Sequence, residues 1–234
     1  IVRVFHTGRD RGREYFVMEH ICGTTLGRLL SKSKALPIEM CLDIGIQICD
    51  TLTYLHSQHS LSCQGPTLHR DLKPSNMMIN TYGRAKLIDF GIACPIESLD
   101  MRTTPIYGTP AYMAPEQLTR GVMGPETDVF GVGVMLYEMA TGVRLFPERN
   151  VPVLLRKRKE MHLSLRAERV TWLGKSTGNA LLNRIIGRCT QPKSDFRYGS
   201  ACALKRALML LQRHQLKGPT LSTYMSNELT SMLA

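Results

Sequence analysis

The stretch "LHRDLKPSNMMI", residues 68–79, sets Asp71, Lys73 and Asn76 within six positions of one another, between apolar flanks. A carboxylate, an ammonium and an amide at this spacing are the polar groups that a phosphoryl-transfer site uses. Just downstream, "AKLIDFG" (85–91) follows the turn-like "NTYGR" (80–84) and reads as the second strand of a small hairpin that begins at "MMI". Asp89 ends that strand, 18 residues after Asp71, with Asn76 between them. A magnesium ion that holds phosphates needs a few oxygen ligands from protein and takes the rest from water and nucleotide. One carboxylate and one amide oxygen suffice, which leaves the other carboxylate to orient a hydroxyl. Lys73 adds positive charge for a transferred phosphoryl group.

Upstream, "LPIEMCLDIGIQICDTLTYLHSQ" (36–58) carries apolar residues at 38, 41, 42, 45, 48, 49, 52 and 55, with Pro37 near its start. That spacing and that proline predict a long helix. The first twenty residues, "IVRVF", the polar "HTGRDRGR" and then "EYFVMEH", predict two antiparallel strands about a glycine-containing turn. From residue 126 on, helical patterns dominate, over 126–141, 151–162, 176–190 and 200–214. The expected order is two strands, a long helix, a short hairpin, a long irregular loop and several helices. "LSTYMSNELTSMLA" at the end reads as a tail.

Composition narrows the setting. Hydrophobic residues make up 43% and charged residues 21% of the 234, the balance of a soluble globular chain with a substantial core. The longest apolar run, "VFGVGVMLYEMA" (129–140), includes Glu138 and is well short of the roughly 18 residues of a membrane span. Arg3, His6, Arg9 and Asp10 break any signal-peptide pattern. Seven scattered cysteines with no C-x-x-C pair argue against a disulfide framework or a zinc site and for a reducing, cytoplasmic compartment. The net charge of +11, concentrated in segments such as "RKRKE" (156–160), favours anionic partners. Without interleaved aromatic residues it gives no clear sign of nucleic-acid binding.

Taken together, the motifs resemble the eukaryotic-type (Hanks-type) serine/threonine protein kinases. "HRDLKPSN" (69–76) matches their catalytic loop, "DFG" (89–91) their metal-binding motif and "APE" (114–116) the end of their activation segment. "DVFGVGVMLYEMATG" (128–142), opening on Asp128, resembles the anchoring helix, "EYFVMEHICGTTL" (14–26) the hinge, and "SDFRYGS" (194–200) the late arginine segment. The Lys-Pro form of the catalytic loop and "GTPAYMAPE" are similar to serine/threonine rather than tyrosine kinases.

The resemblance implies an α+β, kinase-like fold. Residues 1–20 would be a β-hairpin remnant of the small lobe with its hinge, 21–216 a mainly helical large lobe, and 217–234 a tail. It implies ATP and Mg2+ as cofactors and a Ser/Thr-bearing protein as substrate. Asp71 would act as base, Lys73 contact the γ-phosphate, and Asn76 and Asp89 hold magnesium. Met18 would back the adenine pocket, with backbone groups of Glu19 and Ile21 at the adenine edge and Met78 beneath the ring. His69 and Phe90 would stack with Val4. Arg70 would pair with a phosphate on the activation segment, at Thr103 or Thr104 in preference to Ser98 or Tyr107. Thr109 would bond Asp71 and Lys73 in the substrate pocket. Glu116 and Arg197 would form a buried ion pair, and Asp128 would be a structural anchor.

The pattern departs from the family in one region. The chain holds no G-x-G-x-x-G loop, since "GVGVML" (131–136) fails at its sixth position and lies in a helical stretch, and no lysine precedes Lys32. The strand lysine that grips the α- and β-phosphates and its glutamate-bearing helix are therefore missing. Losing that lysine costs on the order of 10²–10³ in rate. Retention of all four site residues and a start at Ile1 lead us to expect an incomplete copy of a larger kinase, weakly active or inactive alone. The alternative is a catalytically inactive, kinase-like binding or regulatory module.

Overall fold

The computed structural model describes residues 1–57, 66–89, 94–95, 108–148, 150–166 and 176–214. The architecture is α+β, with about half of the described chain helical. No described helix is long and apolar enough to cross a membrane.

The chain begins with a hairpin of β1 (Val4–Asp10) and β2 (Arg13–Met18), paired antiparallel with Thr7 opposite Phe16 and Asp10 opposite Arg13. The polar run 6–13 was expected to be a turn. Instead, strand pairing continues through it, and only Arg11 and Gly12, at φ 47° and 80°, make the bend. Two consecutive left-handed residues are what a two-residue hairpin turn needs to match the twist of its strands.

Three short elements carried too little periodicity to be foreseen: β3 (Gly23–Thr25), α1 (Leu26–Ser33) and α3 (Pro115–Thr119). The Thr25 hydroxyl accepts from Arg28 N at 3.1 Å and so caps α1. The expected long helix is α2 (Ile38–Leu55). After β4 (Thr67–Leu68) and a 3-10 turn (Pro74–Asn76) comes the expected hairpin, β5 (Met77–Asn80) with β6 (Ala85–Leu87). Together they form an antiparallel sheet in the order β3-β5-β6, and β4 pairs with β7 (Cys94–Pro95). The turn between β5 and β6 is closed by the Asn80 side chain, which accepts from Tyr82 N and Arg84 N. Gln47 of α2 pins the turn by donating to Gly83 O and accepting from Ala85 N.

The later helices are α4 (Pro125–Thr141), α5 (Val151–Arg166), α6 (Ala180–Cys189) and α7 (Ala201–His214). α6 starts later than its pattern predicts because Asn179 is its cap, its side chain accepting from Leu182 N at 2.9 Å. α4 is buried on all sides, between α2, α6 and α7. Its glycines answer to packing rather than to phosphate binding. A Cβ on Gly133 would lie 2.4 Å from Cys189 Cβ, and one on Gly131 3.1 Å from Leu72 Cβ, beside Asp71. The loop that carries Asp71 thus rests directly on the most buried helix.

Candidate active site

β4 delivers the chain into His69–Lys73, where Arg70 adopts a left-handed φ of 66°. A non-glycine residue there is strained and persists only if its surroundings over-determine it. Asp128, at the start of α4, provides one clamp: its carboxylate accepts from His69 N at 2.9 Å, Arg70 N at 2.8 Å and His56 Nε2 at 2.8 Å. Gln117 of α3 provides the other, donating to Arg70 O at 2.8 Å. Neither His56 nor Gln117 was singled out from sequence. Gln117 adjoins the "APE" motif, which was the available signal.

This frame fixes Asp71. Its Oδ2 accepts from Lys73 Nζ at 2.6 Å and Asn76 Nδ2 at 3.1 Å, and its Oδ1 accepts from Thr109 N at 3.2 Å. Asp71, Lys73, Asn76 and Thr109 are therefore brought together. The Thr109 contact to Asp71 is made by its backbone N–H. Asn76 O accepts from Ile88 N at 3.0 Å, which ties the loop to the end of β6 and sets Asp89 beside it.

Asp89 lines a cleft of about 900 Å³ with Val4, Phe16, Met18, Ile21, Met78 and Ile88. Met18, Ile21 and Met78 thus share one largely apolar wall, and Glu19 stands at the same cleft. The Glu19 carboxylate accepts from Lys86 Nζ at 2.6 Å and Arg3 N at 2.8 Å, and the Lys86 bond is the main reason its pKa lies below the usual range. A second depression of about 560 Å³ lies on the other side of Lys73, bordered by Ser75, Thr109, Tyr112, Glu138 and Arg144. There the Tyr112 hydroxyl donates to Glu138, a contact that sequence reasoning missed.

The donor set suits a hard cation shared with phosphate. Asn76 Oδ1 accepts a long 3.4 Å bond from Ser75 Oγ, and Asp89 lines the cleft. No cluster of three or more His, Cys, Asp or Glu occurs among the described residues. An ion here would take its remaining ligands from water and nucleotide, which is magnesium's habit.

Farther out, Glu116 and Arg197 form a bidentate pair at 2.6 and 2.8 Å. Thr103 and Thr104, with Ser98, Tyr107 and Phe90, lie outside the described residues, as do 217–234. The expected stack of His69 and Phe90 with Val4 includes Phe90 and so falls outside the described residues. His69 is 1% exposed, whereas Val4 is 48% exposed on the cleft wall. Val2 is the buried valine, its N–H bonded to Leu87 O. β1 pairs only with β2, so Val4 has no layer above it among the described residues.

The anchor predicts acid lability. Burial pulls the His69 pKa down. Burial also pushes Asp128 up, but the His56 bond, the charges of His56 and His69 and the His69 amide outweigh it and leave the carboxyl below its usual value. For a lowered histidine, the unfolded chain binds the extra proton, so stability is complete above the ordinary value of 6.5 and falls as pH drops below it. For a lowered carboxylate, stability is complete above its ordinary 3.8 and is lost as pH falls through the folded value. Urea midpoints should therefore decline from pH 7 to 5 and more steeply below 4, with the steep part reduced in Asp128→Asn.

Comparison with known proteins adds an independent finding. The sequence pattern of the family described as "Protein kinase domain" matches residues 1–209. A Clostridium acetobutylicum protein described as "Probable serine/threonine-protein kinase" is 32% identical over 202 residues, 86% of this chain and 29% of that protein. A mitogen-activated protein kinase kinase of Nicotiana tabacum is 35% identical over 57% of this chain and 36% of its own length. A serine/threonine-protein kinase of Corynebacterium efficiens is 38% identical over 56% of this chain and 24% of its own. The chain thus spans between about a quarter and just over a third of the length of these relatives.

Proposed function

The chain belongs to the protein kinase family, and from that premise we propose that its protein transfers the γ-phosphate of ATP to serine or threonine hydroxyls of other proteins, as a Hanks-type kinase. The observation that carries this reading is the Asp71 carboxylate, held by Lys73, Asn76 and the Thr109 amide between a nucleotide-sized apolar cleft and an open depression. Asp71 accepts the hydrogen bond of the substrate hydroxyl and takes its proton as the new oxygen–phosphorus bond forms and the bond from the γ-phosphorus to the bridging oxygen breaks, with ADP leaving. Lys73 neutralises charge on the transferred group, and Asn76 and Asp89 hold the magnesium ion. When bound, that ion would offset the negative charge of the phosphates. Met18, Ile21 and Met78 take the adenine, with backbone groups of Glu19 and Ile21 at its edge, and Thr109 borders the substrate.

In this reading, residues 1–20 belong to a small-lobe sheet and hinge, 21–216 form the large lobe and 217–234 are a tail. Arg70 receives a phosphate carried by Thr103 or Thr104. The glycine-rich loop and strand lysine of the family are not among these 234 residues, so transfer by this chain alone is weak.

The test is transfer from labelled ATP with magnesium to a generic basic protein, followed by identification of the labelled amino acid. Phosphoserine or phosphothreonine is expected, lost on chelation and in Asp89→Asn. A protein containing the full family core that gives no label would overturn the reading in favour of a docking module.

A further inference from the structure

Arg158, in α5, is 1% exposed, yet none of the ion pairs among the described residues includes it. A buried, unpaired guanidinium costs stability, and an apolar side chain of similar volume is generally better tolerated there. Its Nε and Nη1 have no hydrogen-bond partner among the described residues. Burial lowers its pKa to about 9, which leaves it charged at neutral pH. Ion pairing among the described residues therefore gives no reason for an arginine at this place.

Its contacts do. The guanidinium carbon lies 5.2 Å from the Phe130 ring centre and 4.6 Å from that of Phe146, and the two rings are stacked nearly parallel. Both faces attract a cation. Nη2 reaches away from them to donate to Pro110 O at 2.9 Å, and at 3.5 Å to Ala111 O. Pro110 follows Thr109, whose N–H lies on Asp71 Oδ1. The turn closes on itself through Tyr112 N to Thr109 O and Met113 N to Pro110 O. Pro110 has no N–H of its own, so its carbonyl is the handle by which the segment can be held from below.

We propose that Arg158 is a positioning residue for the protein-substrate side of the site: seated on Phe130 and Phe146, it clamps the Pro110 and Ala111 carbonyls and so holds the Thr109 amide against Asp71. The proposal rests on the kinase reading above. It separates the two sides of the site. The nucleotide cleft is walled by β1, β2, β5 and the residues after β6, none of which Arg158 touches, whereas Thr109 and Tyr112 border the opposite depression.

The experiment compares the full-length protein with Arg158→Met, which keeps length and apolar bulk, and Arg158→Lys, which keeps charge and one donor. Loss of one charge-assisted hydrogen bond should raise KM for a peptide substrate about ten- to a hundredfold. KM for ATP should stay within about twofold, Tm should be equal or higher because the charge burial is relieved, and lysine should recover part of the loss. Backbone hydrogen exchange, read without any activity, should rise at Thr109–Met113 in Arg158→Met and stay unchanged in β5 and β6. A protein that transfers no phosphate but shows this exchange pattern retains the clamp and loses the kinase reading. Unchanged peptide KM together with unchanged exchange overturns the proposal. So does equal loss toward both substrates with a lowered Tm, in the lysine variant if the methionine variant does not fold.

Discussion

Replacing Asp71 with asparagine is expected to cut phosphoryl transfer by about 10²–10⁴-fold, the range that a positioned general base supplies. The substitution keeps shape and size, so the loss is electrostatic. Lys73 Nζ, 2.6 Å from Oδ2, would face a neutral amide, and the group facing the substrate hydroxyl would no longer take its proton. The geometry also limits how well asparagine fits. All three polar neighbours of the carboxylate, Lys73, Asn76 and the Thr109 amide, donate to it, so an amide NH₂ must oppose at least one donor. Some loosening of residues 108–110 should accompany the loss of rate, while nucleotide affinity changes little because Asp71 does not line the cleft. Initial rates at saturating ATP, with nucleotide binding measured in parallel, decide the matter. A variant that retains more than about a tenth of the rate would remove Asp71 from the role of base.

Breaking the pair of Glu116 and Arg197 should have the largest effect on stability. Arg197 is 2% exposed and its five N–H donors all find acceptors: two on Glu116, and the carbonyls of Gln191, Pro192 and Glu126. Glu116 also accepts from the Thr127 hydroxyl at 2.9 Å. Removing one partner of such a pair strands the other charge in the interior, at about 3–5 kcal/mol. At roughly 2–4 °C per kcal/mol for a chain of this size, Arg197→Met should lower Tm by about 6–20 °C. The double variant Arg197→Met, Glu116→Leu should recover part of that, since no isolated charge remains. If the single variant melts within about 2 °C of the wild type, the pair is not holding the end of α3's segment to the α6–α7 region.

The contrast between Arg197 and Arg158 shows where sequence reading stops. Asp71, Lys73 and Asn76 are legible because they are neighbours in the chain, and Asp89 because a hairpin connects it to them. Glu116 and Arg197 are 81 residues apart and are linked in advance only by the family resemblance. Arg158 stands in a basic run and looks like a solvated lysine-arginine face. Its burial depends on Phe130 and Phe146, which arrive from other elements. The bond from Tyr112 to Glu138 and that from Gln117 to Arg70 are hidden for the same reason, as spacing carries no record of tertiary neighbours. α1 escaped notice because Leu26, Leu29 and Leu30 make up barely two turns. Val4 is 48% exposed because burial depends on what lies above a strand, not on its own alternation.

The hairpin that joins Asn76 to Asp89 has a practical use. Its turn is fastened by Asn80 and Gln47, and Tyr82 at its tip is 78% exposed. A dye attached at Tyr82→Cys, with Cys22, Cys63, Cys94 and Cys202 replaced by serine, would ride on the hairpin without entering either depression. Its polarisation would report the tumbling of this hairpin and its orientation in a larger assembly, leaving the chemistry undisturbed.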